Sequence, residues 1–263
     1  MSSSPPMVLA FAASDPTGGA GLQADLLTLA SLGCHPLSVL TGFTVQDTRG
    51  VESLQAVDPA WVAKQARRVL EDIPVQAFKL GVLGSAANAR IVATILGEHP
   101  HVPVVLDPVL ASGRGDPLAD AETLQAIRTA LLARTTVLTP NSIEARRLAL
   151  AAPEAELPGC ARALANLGCD FVLVTGTHEA GTQVTNTLYA ASGVVRDDSW
   201  PRLPGEYHGS GCTLAAALAA MLARGLDVPA AARAAQDYTW KTLQAGFRAG
   251  RGQRLPDRFF GSK

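Results

Sequence analysis

The segment from His208 to Thr213, which reads His-Gly-Ser-Gly-Cys-Thr, stands directly before an Ala/Leu-rich segment of helical character. Gly209 and Gly211 leave bare backbone N–H groups at the start of that helix, and the helix dipole adds positive potential, so the turn predicts an anion hole. The same field predicts a lowered pKa for the Cys212 thiol. A glycine-rich loop with a core cysteine is the structural alternative. The convergence of both glycines and the cysteine on one helix terminus favours a functional turn.

Three further turns carry polar side chains that could act on a ligand. Residues 14–21 read Ser-Asp-Pro-Thr-Gly-Gly-Ala-Gly and would present N–H groups to an anion, although such a turn is as often only a tight connection. Asp107 ends an apolar run, where it either binds a ligand or caps the next element. Asn141 and Glu144 are three residues apart and predict a capping box, an interpretation favoured over a pair that holds Mg²⁺-linked water beside phosphates.

The motifs of the common nucleotide-binding folds are missing from the sequence. No glycine-rich turn is a dinucleotide fingerprint or a Walker A loop, since no Gly-Lys-Ser/Thr follows. The His-Arg-Asp and Asp-Phe-Gly signatures of protein kinases are also missing. A kinase built on this sequence is therefore of another kind.

Apolar strand-like runs alternate with helical segments along almost the whole chain. This pattern predicts one doubly wound α/β domain over residues 7–263, with a mostly parallel sheet covered on both faces, after a disordered leader over residues 1–6. Ligands bind beyond the carboxyl ends of such strands, where the turns described above fall. The predicted strands are 8–13, 37–43, 77–80, 104–106, 136–138 and 171–174, with a weaker pair near 188–189 and 194–195. The predicted helices are 20–32, 61–73, 87–96, 123–132, one opened by Asn141, 160–167, 212–223 and 229–245.

Composition narrows the class of partner. The 263 residues are 48% hydrophobic and 17% charged, with a formal net charge of −1, which permits a large core. Without a block of Lys and Arg, the chain is not expected to bind nucleic acid or an anionic membrane, and no stretch has transmembrane length. The four cysteines form no Cys-x-x-Cys pair and are expected to be reduced thiols of a cytoplasmic protein.

Six motifs together resemble the hydroxymethylpyrimidine/phosphomethylpyrimidine kinase family of the ribokinase-like superfamily. They occur in order and at similar spacing over essentially the whole chain from Met7. They are Ser-Asp-Pro-Thr-Gly-Gly-Ala-Gly-Leu-Gln-Ala-Asp (14–25), Val-Gln-Asp-Thr-Arg-Gly (45–50), Lys-Leu-Gly-Val-Leu (79–83), Asp-Pro-Val (107–109), Thr-Pro-Asn (139–141) and His-Gly-Ser-Gly-Cys-Thr (208–213).

The resemblance implies a role for individual residues. Cys212 stands where most ribokinase-like enzymes have an aspartate base, and Gln46 matches the glutamine that binds the aminopyrimidine. The implication for Asn141 and Glu144 is a contact with Mg²⁺ and phosphate, against the cap favoured above. The full implied set is Gly209, Ser210 and Gly211 for the anion hole; Gln46, Asp25, Ala13, Gly19, Val82 and Val109 for the substrate; Asn141, Glu144, Thr175, Gly176 and Arg114 for ATP; and Asp107 with Glu144 for Mg²⁺ through water.

The implied reaction is phosphorylation of 4-amino-5-hydroxymethyl-2-methylpyrimidine by Mg²⁺–ATP, and then of its monophosphate, for thiamine biosynthesis. Cys212 would take or orient the hydroxymethyl proton in the first step. The second acceptor is already ionised near neutral pH and needs no base. Relatives of this kind are commonly dimers, so the resemblance implies that this chain forms a homodimer.

Two departures from the family pattern leave alternatives open. Thr175-Gly176-Thr177-His178 stands where the family often has Lys-Gly-Gly-His, and the loop after Val109 lacks the common Lys-Ser-Gly-Asp ending, with Arg114 as a candidate to replace the charge. A pyridoxal kinase is the nearest alternative, although Gln46 favours an aminopyrimidine. A non-catalytic pyrimidine sensor is the second alternative, and the intact turn around Cys212 argues against it.

Overall fold

Buried apolar strands form the centre of the molecule, which is described here for residues 4–261 from a computed structural model. The first strand shows the principle, since its six central residues are all buried and both faces of the sheet are covered. The strands are β1 (Met7–Ser14), β2 (His35–Asp47), β3 (Gly50–Ala56), β4 (Ala77–Leu80), β5 (Val104–Leu106), β6 (Val137–Leu138), β7 (Phe171–Thr175), β8 (Gln183–Ala190) and β9 (Gly193–Pro201).

Within residues 4–261 these strands form one sheet in the order β3-β2-β1-β4-β5-β6-β7-β8-β9. The six strands from β2 to β7 in this order run parallel. β3 pairs antiparallel with β2 at one edge, and β8 and β9 form an antiparallel ribbon at the other. The parallel centre brings the carboxyl ends of β1, β4, β5, β6 and β7 to a common edge, which is the edge at which such sheets bind ligands.

Helices cover both faces of the sheet. They are α1 (Gly21–Ser31), α2 (Pro59–Leu70), α3 (Ala86–Gly97), α4 (Ala121–Ala126), α5 (Ser142–Ala149), α6 (Leu157–Ala165), α7 (Ser210–Ala223) and α8 (Val228–Gln244). α1, α7 and α8 share one apolar cluster with residues such as Val8 and Val105. α2, α3, α5 and α6 share the other cluster with residues such as Phe11 and Phe78. The predicted doubly wound α/β domain is confirmed.

The structure differs from the prediction in one additional strand, one divided helix and the N-terminal segment. β3 was not predicted, because this edge strand leaves most of its side chains partly or fully exposed and so lacks an apolar run. The predicted helix 123–132 is divided, since α4 passes into a π-helical turn (Ile127–Leu131) and a short 3₁₀ turn (Leu132–Arg134). Of the predicted leader, residues 1–3 lie outside the described residues, and the carbonyl of Pro6 already accepts from the backbone N–H of His35 at 2.8 Å.

Candidate active site

A cavity of about 560 Å³ opens at the carboxyl edge of the sheet. The turn after β1, the N-terminus of α7 and the loops that follow β4 to β7 form its walls. Such a site at the ends of parallel strands is the expected place for a ligand in a doubly wound fold. The predicted site residues in its lining are Ala13, Gln46, Val82, Asp107, Val109, Asn141, Glu144, Thr175, Gly209, Ser210, Gly211 and Cys212.

The residues predicted to form an anion hole lie at the first turn of α7. Gly209 precedes the helix with φ +78°. A side chain there would be strained and would also collide with the carbonyl oxygen of Gly19, so both the backbone conformation and the close approach require glycine. Gly211 faces Asp107, because a Cβ built on it would stand 3.7 Å from the carboxylate Oδ1. The N-terminus of α7 is thereby open to the cavity beside an acidic side chain.

Cys212 is buried at 8% exposure in this turn, close enough to the Asp107 carboxylate to oppose the effect of burial on the pKa of Asp107. Burial raises the pKa of the Cys212 thiol to about 12, an effect that the nearby Lys79 ammonium opposes only in part. The predicted lowering of this pKa is therefore wrong for the ligand-free protein. Desolvation of a thiolate in this packed turn outweighs the field of the helix.

Asp25 does not line the cavity, although it was predicted to contact the substrate. It is fully buried below the site, on α1, where its carboxylate pairs with the equally buried Lys79 at 2.8 Å. Burial raises the pKa of Asp25 to about 6, with the Lys79 charge opposing this effect. The two side chains form an ion pair beneath Cys212, a position that sequence reasoning did not assign to Lys79.

Asp15 organises the glycine-rich turn after β1. Its carboxylate accepts hydrogen bonds from the backbone N–H of Thr17 at 2.8 Å and of Ala20 at 2.7 Å. It also accepts from the imidazole of His208 at 2.8 Å, and the side-chain amide of Gln46 lies near enough to help lower the pKa of Asp15. Burial alone would raise the pKa of Asp15, but these hydrogen bonds outweigh it and hold the pKa below its usual value. The first motif, the last motif and the predicted substrate glutamine are thus joined through one carboxylate.

Asn141 and Glu144 form the capping box of α5. The Asn141 side chain accepts from the Glu144 backbone N–H at 2.9 Å, and the Glu144 carboxylate accepts from the Asn141 N–H at 3.0 Å. The other oxygen of Glu144 accepts from the N–H of Leu110 at 3.3 Å. Burial, together with the charge of Asp107, raises the pKa of Glu144 to about 8. The cap predicted from spacing is confirmed, and contact with Mg²⁺ or phosphate stays a prediction.

Three further predicted contact residues lie outside the cavity lining. Gly19 is covered by His208 and Leu255, which leave no room for a side chain. Gly176 donates its N–H to the side-chain oxygen of Asn186 at 3.1 Å. The exposed Arg114 turns its guanidinium to the carbonyl of Arg49 on the hairpin between β2 and β3, so it does not supply the missing lysine charge here.

The far end of the cavity was not predicted from sequence. Trp200 and Trp240 stack there with ring centroids 6.3 Å apart. The Trp200 indole donates to the side chain of the buried Gln236 at 3.2 Å. These residues come from β9 and α8, and only the antiparallel ribbon at the sheet edge brings them together. No spacing pattern in the chain signals that encounter.

Comparison with known proteins identifies the family of the chain that carries this site. A model of the phosphomethylpyrimidine kinase family matches residues 15–257 of the chain. The chain belongs to this family. Apart from Ser14, the matched residues contain all six motifs from the Asp15 turn to the Cys212 turn, so the resemblance read from the sequence is confirmed.

Individual relatives cover nearly the whole chain. The hydroxymethylpyrimidine/phosphomethylpyrimidine kinase of Streptomyces coelicolor is 42% identical over 254 residues, covering 94% of this chain and 92% of its own. The structure of phosphomethylpyrimidine kinase from Clostridium difficile 630 has 29% identity and a TM-score of 0.78, covering 90% of this chain and 99% of its own. The ADP complex of Bacillus subtilis pyridoxal kinase has 26% identity and a TM-score of 0.85, covering 97% and 98%. The predicted ribokinase-like fold is thereby confirmed.

Among residues 4–261, no helix combines the length and the apolar character needed to cross a bilayer. In the same residues, no cluster of three or more His, Cys, Asp or Glu side chains is arranged to hold a metal ion by protein ligands alone.

Proposed function

We propose that this protein transfers the γ-phosphoryl group of ATP to 4-amino-5-hydroxymethyl-2-methylpyrimidine and then to the resulting monophosphate, which supplies the pyrimidine diphosphate for thiamine biosynthesis. Membership of the phosphomethylpyrimidine kinase family and the relative at 42% identity support both steps. The observation that carries the proposal is the joint opening of Gln46 and the Cys212 turn onto one cavity. The amide of Gln46 can hydrogen-bond to the pyrimidine ring, and the N–H groups of the Cys212 turn can bind the phosphoryl group.

The anion hole acts on the phosphoryl group in transit. Phosphoryl transfer depends on alignment and charge stabilisation more than on covalent chemistry. The N–H groups of Gly209, Ser210, Gly211 and Cys212 would stabilise the charge on its oxygens, since they are held in place before the reaction. Cys212 would accept or orient the hydroxymethyl proton. Burial raises the pKa of this thiol in the free protein, so Cys212 is not ionised there near neutral pH.

Gln46 would read the pyrimidine ring through its carbonyl oxygen. Its amide lies beside the Asp15 carboxylate, whose pKa it helps to lower, and a carboxylate can only accept. The amide nitrogen would therefore turn to Asp15, which leaves the oxygen to accept from the exocyclic amine of the substrate. The apolar side chains of Ala13, Val82 and Val109 would enclose the ring.

The residues present fit a magnesium ion that is held mainly by phosphates and water. The Oδ2 atom of Asp107 is buried without a hydrogen-bond partner and lies beside the anion hole, which suits an acceptor for Mg²⁺-bound water. Both oxygens of Glu144 already accept N–H groups, so Glu144 has only residual lone pairs for a further water. When bound, Mg²⁺ would neutralise charge on the nucleotide phosphates, and Asp107 would orient its hydration shell.

Pyridoxal phosphorylation is the second candidate activity. It is favoured by the TM-score of 0.85 with the B. subtilis pyridoxal kinase, against 0.78 for the C. difficile phosphomethylpyrimidine kinase. The much higher sequence identity to hydroxymethylpyrimidine/phosphomethylpyrimidine kinases outweighs this likeness, because overall shape does not specify the ring in the pocket.

A coupled ADP-release assay with Mg²⁺–ATP tests the proposal, with hydroxymethylpyrimidine, its monophosphate and pyridoxal as parallel acceptors. Turnover of both pyrimidines is expected, and Cys212→Ala should lower kcat for the hydroxymethyl acceptor by about 10²- to 10⁴-fold. Cys160→Ala, a buried cysteine of α6, is the matched control and should leave both rates unchanged. Turnover of pyridoxal alone would overturn the substrate assignment. Binding of the pyrimidine without turnover of any acceptor would make the protein a sensor.

A further inference from the structure

Arg258 is a buried cation that lies behind the anion hole and is used by none of the contacts proposed above. It is 5% exposed and lies just beyond the residues 15–257 that the family model matches. The segment that carries it follows α8 and returns to the site. Its backbone is fixed, because the carbonyl of Arg258 accepts from the Tyr238 hydroxyl at 2.9 Å.

The guanidinium contacts both glycine-rich turns of the site at once. Its two terminal nitrogens donate to the carbonyls of Gly18 at 3.2 Å and Gly19 at 2.6 Å, in the turn after β1. Its Nε donates to the hydroxyl of Thr213, on the first turn of α7, at 3.2 Å. A planar group with fixed donor directions therefore holds the two turns at a set separation.

Thr213 carries this constraint to the anion hole. Its hydroxyl accepts from Arg258 and donates to the carbonyl of Gly209 at 2.8 Å. Gly209 in turn packs so closely on the carbonyl of Gly19 that no Cβ would fit between them. Arg258, Thr213, Gly209 and Gly19 thus form a closed circuit around the start of α7.

We propose that Arg258 is a positioning residue for phosphoryl transfer, which acts by holding the turn after β1 against the first turn of α7 and so setting the place of the anion-hole N–H groups. The inference rests on the proposed kinase activity. Because misplacement of reacting groups by about 1 Å can lower a rate about a hundredfold, loss of this circuit affects kcat. Substrate and nucleotide affinity depend on other walls of the cavity and change little.

The test compares variants that alter the circuit in graded steps, with hydroxymethylpyrimidine as acceptor. Arg258→Lys keeps the positive charge but loses the planar guanidinium that donates to three oxygens at once. It is expected to lower kcat about 10- to 100-fold, with KM for ATP and acceptor within about threefold of wild type. Methylguanidinium added to Arg258→Ala should restore part of kcat. Arg224→Lys, at the exposed end of α7, is the matched control and should behave as wild type.

Thr213 provides a second route if the Arg258 variants do not fold. Thr213→Val removes the hydroxyl at constant shape and should lower kcat as Arg258→Lys does, whereas Thr213→Ser keeps the hydroxyl and should retain activity. In the double variant of Arg258→Lys with Thr213→Val the losses should not add, since both break one circuit. Wild-type kcat in folded Arg258→Lys, or in Thr213→Val, overturns the inference alone. A wild-type protein that phosphorylates no acceptor overturns the proposed function and this inference with it.

Discussion

At the residue scale, burial affects the Cys212 thiol more strongly than the helix terminus on which it lies, and it raises the pKa of the thiol to about 12. The helix that begins at Cys212 and its glycines was predicted correctly from the sequence. The protonation state of the thiol was predicted wrongly, because it depends on how completely the thiol is removed from water, and no sequence pattern reports that. Lys79 is the compensating charge, and it comes from a strand more than one hundred residues earlier in the chain.

The raised pKa of Cys212 predicts a rising pH profile for the first phosphorylation. With the pKa at about 12 in the free protein, the thiolate is a minor species at neutral pH. We expect kcat/KM for hydroxymethylpyrimidine to rise by up to about tenfold per pH unit between pH 7 and 9, since kcat/KM reports the ionisation of the free enzyme. The monophosphate, which needs no base, should not show this rise. A plateau for the first step between pH 6 and 8 would show that the thiol ionises readily and that the prediction is wrong.

Gln46 predicts a change in ring affinity rather than in chemistry. Gln46→Ala removes the acceptor for the exocyclic amine, and loss of such a hydrogen bond costs about 1–3 kcal/mol. The KM for hydroxymethylpyrimidine should therefore rise about 5- to 100-fold with kcat changed little, as measured by the ADP-release assay. Gln55→Ala on the neighbouring strand β3 is the control and should leave KM unchanged. An unchanged KM in Gln46→Ala would show that another group reads the ring.

At the scale of elements, the parallel centre of the fold was predictable and its edges were not. β1, β4 and β7 are apolar runs buried on both faces, so their sequence alone predicts that they lie in the centre of the sheet. β3 and the ribbon of β8 and β9 carry mixed polar sequences, and their place depends on partners that only the assembled sheet provides. The tryptophans at the far end of the cavity lie on or beside that ribbon, which is why sequence reasoning missed them. The capping box of α5 was predictable because it is local.

Glu144 predicts that stability falls as pH rises. Its pKa is raised from 4.5 to about 8 in the folded protein, so the folded state holds a proton that the unfolded state releases between these values. The free energy of unfolding should therefore decrease from pH 5 to 8, by at most about 1.4 kcal/mol per pH unit for one proton. Asp25, whose pKa is also raised by burial, adds to the slope with the same sign below pH 6.

Urea unfolding at several pH values measures this dependence. Glu144→Gln removes the titrating group and should flatten the slope between pH 6 and 8. It should also cost some overall stability, because an amide nitrogen cannot accept, so one of the N–H groups of Asn141 and Leu110 would lose its acceptor. Glu71→Gln, at the exposed end of α2, should leave the slope unchanged. A slope in Glu144→Gln equal to that of the wild type would assign the pH dependence to other groups.

At the scale of the whole molecule, buried ionisable side chains from separate elements meet at and below the floor of the cavity. Asp25 comes from α1, Lys79 from β4, Asp107 from the end of β5 and Cys212 from α7. They lie where the sheet, the helices of one face and the anion hole converge, so one group of residues serves both stability and reactivity. Sequence reasoning named three of the four but gave Asp25 the wrong place, because an ion pair between α1 and β4 depends on the packing of the layers.

Replacing the buried ion pair separates these two roles. Lys79→Met alone leaves the Asp25 carboxylate buried without its partner, which should destabilise the protein by about 3–5 kcal/mol. In the double variant, Asp25→Leu with Lys79→Met, most of that stability should return, since two apolar side chains can replace a buried ion pair.

Activity should not return with the stability of this double variant. Without the Lys79 ammonium, the Cys212 thiolate loses the charge that favours it, so kcat for hydroxymethylpyrimidine should stay at least about tenfold below wild type while phosphorylation of the monophosphate is largely kept. Urea unfolding and the ADP-release assay on the same preparations measure both effects, and a double variant with wild-type kcat on the first acceptor would show that Lys79 stabilises the fold without assisting Cys212.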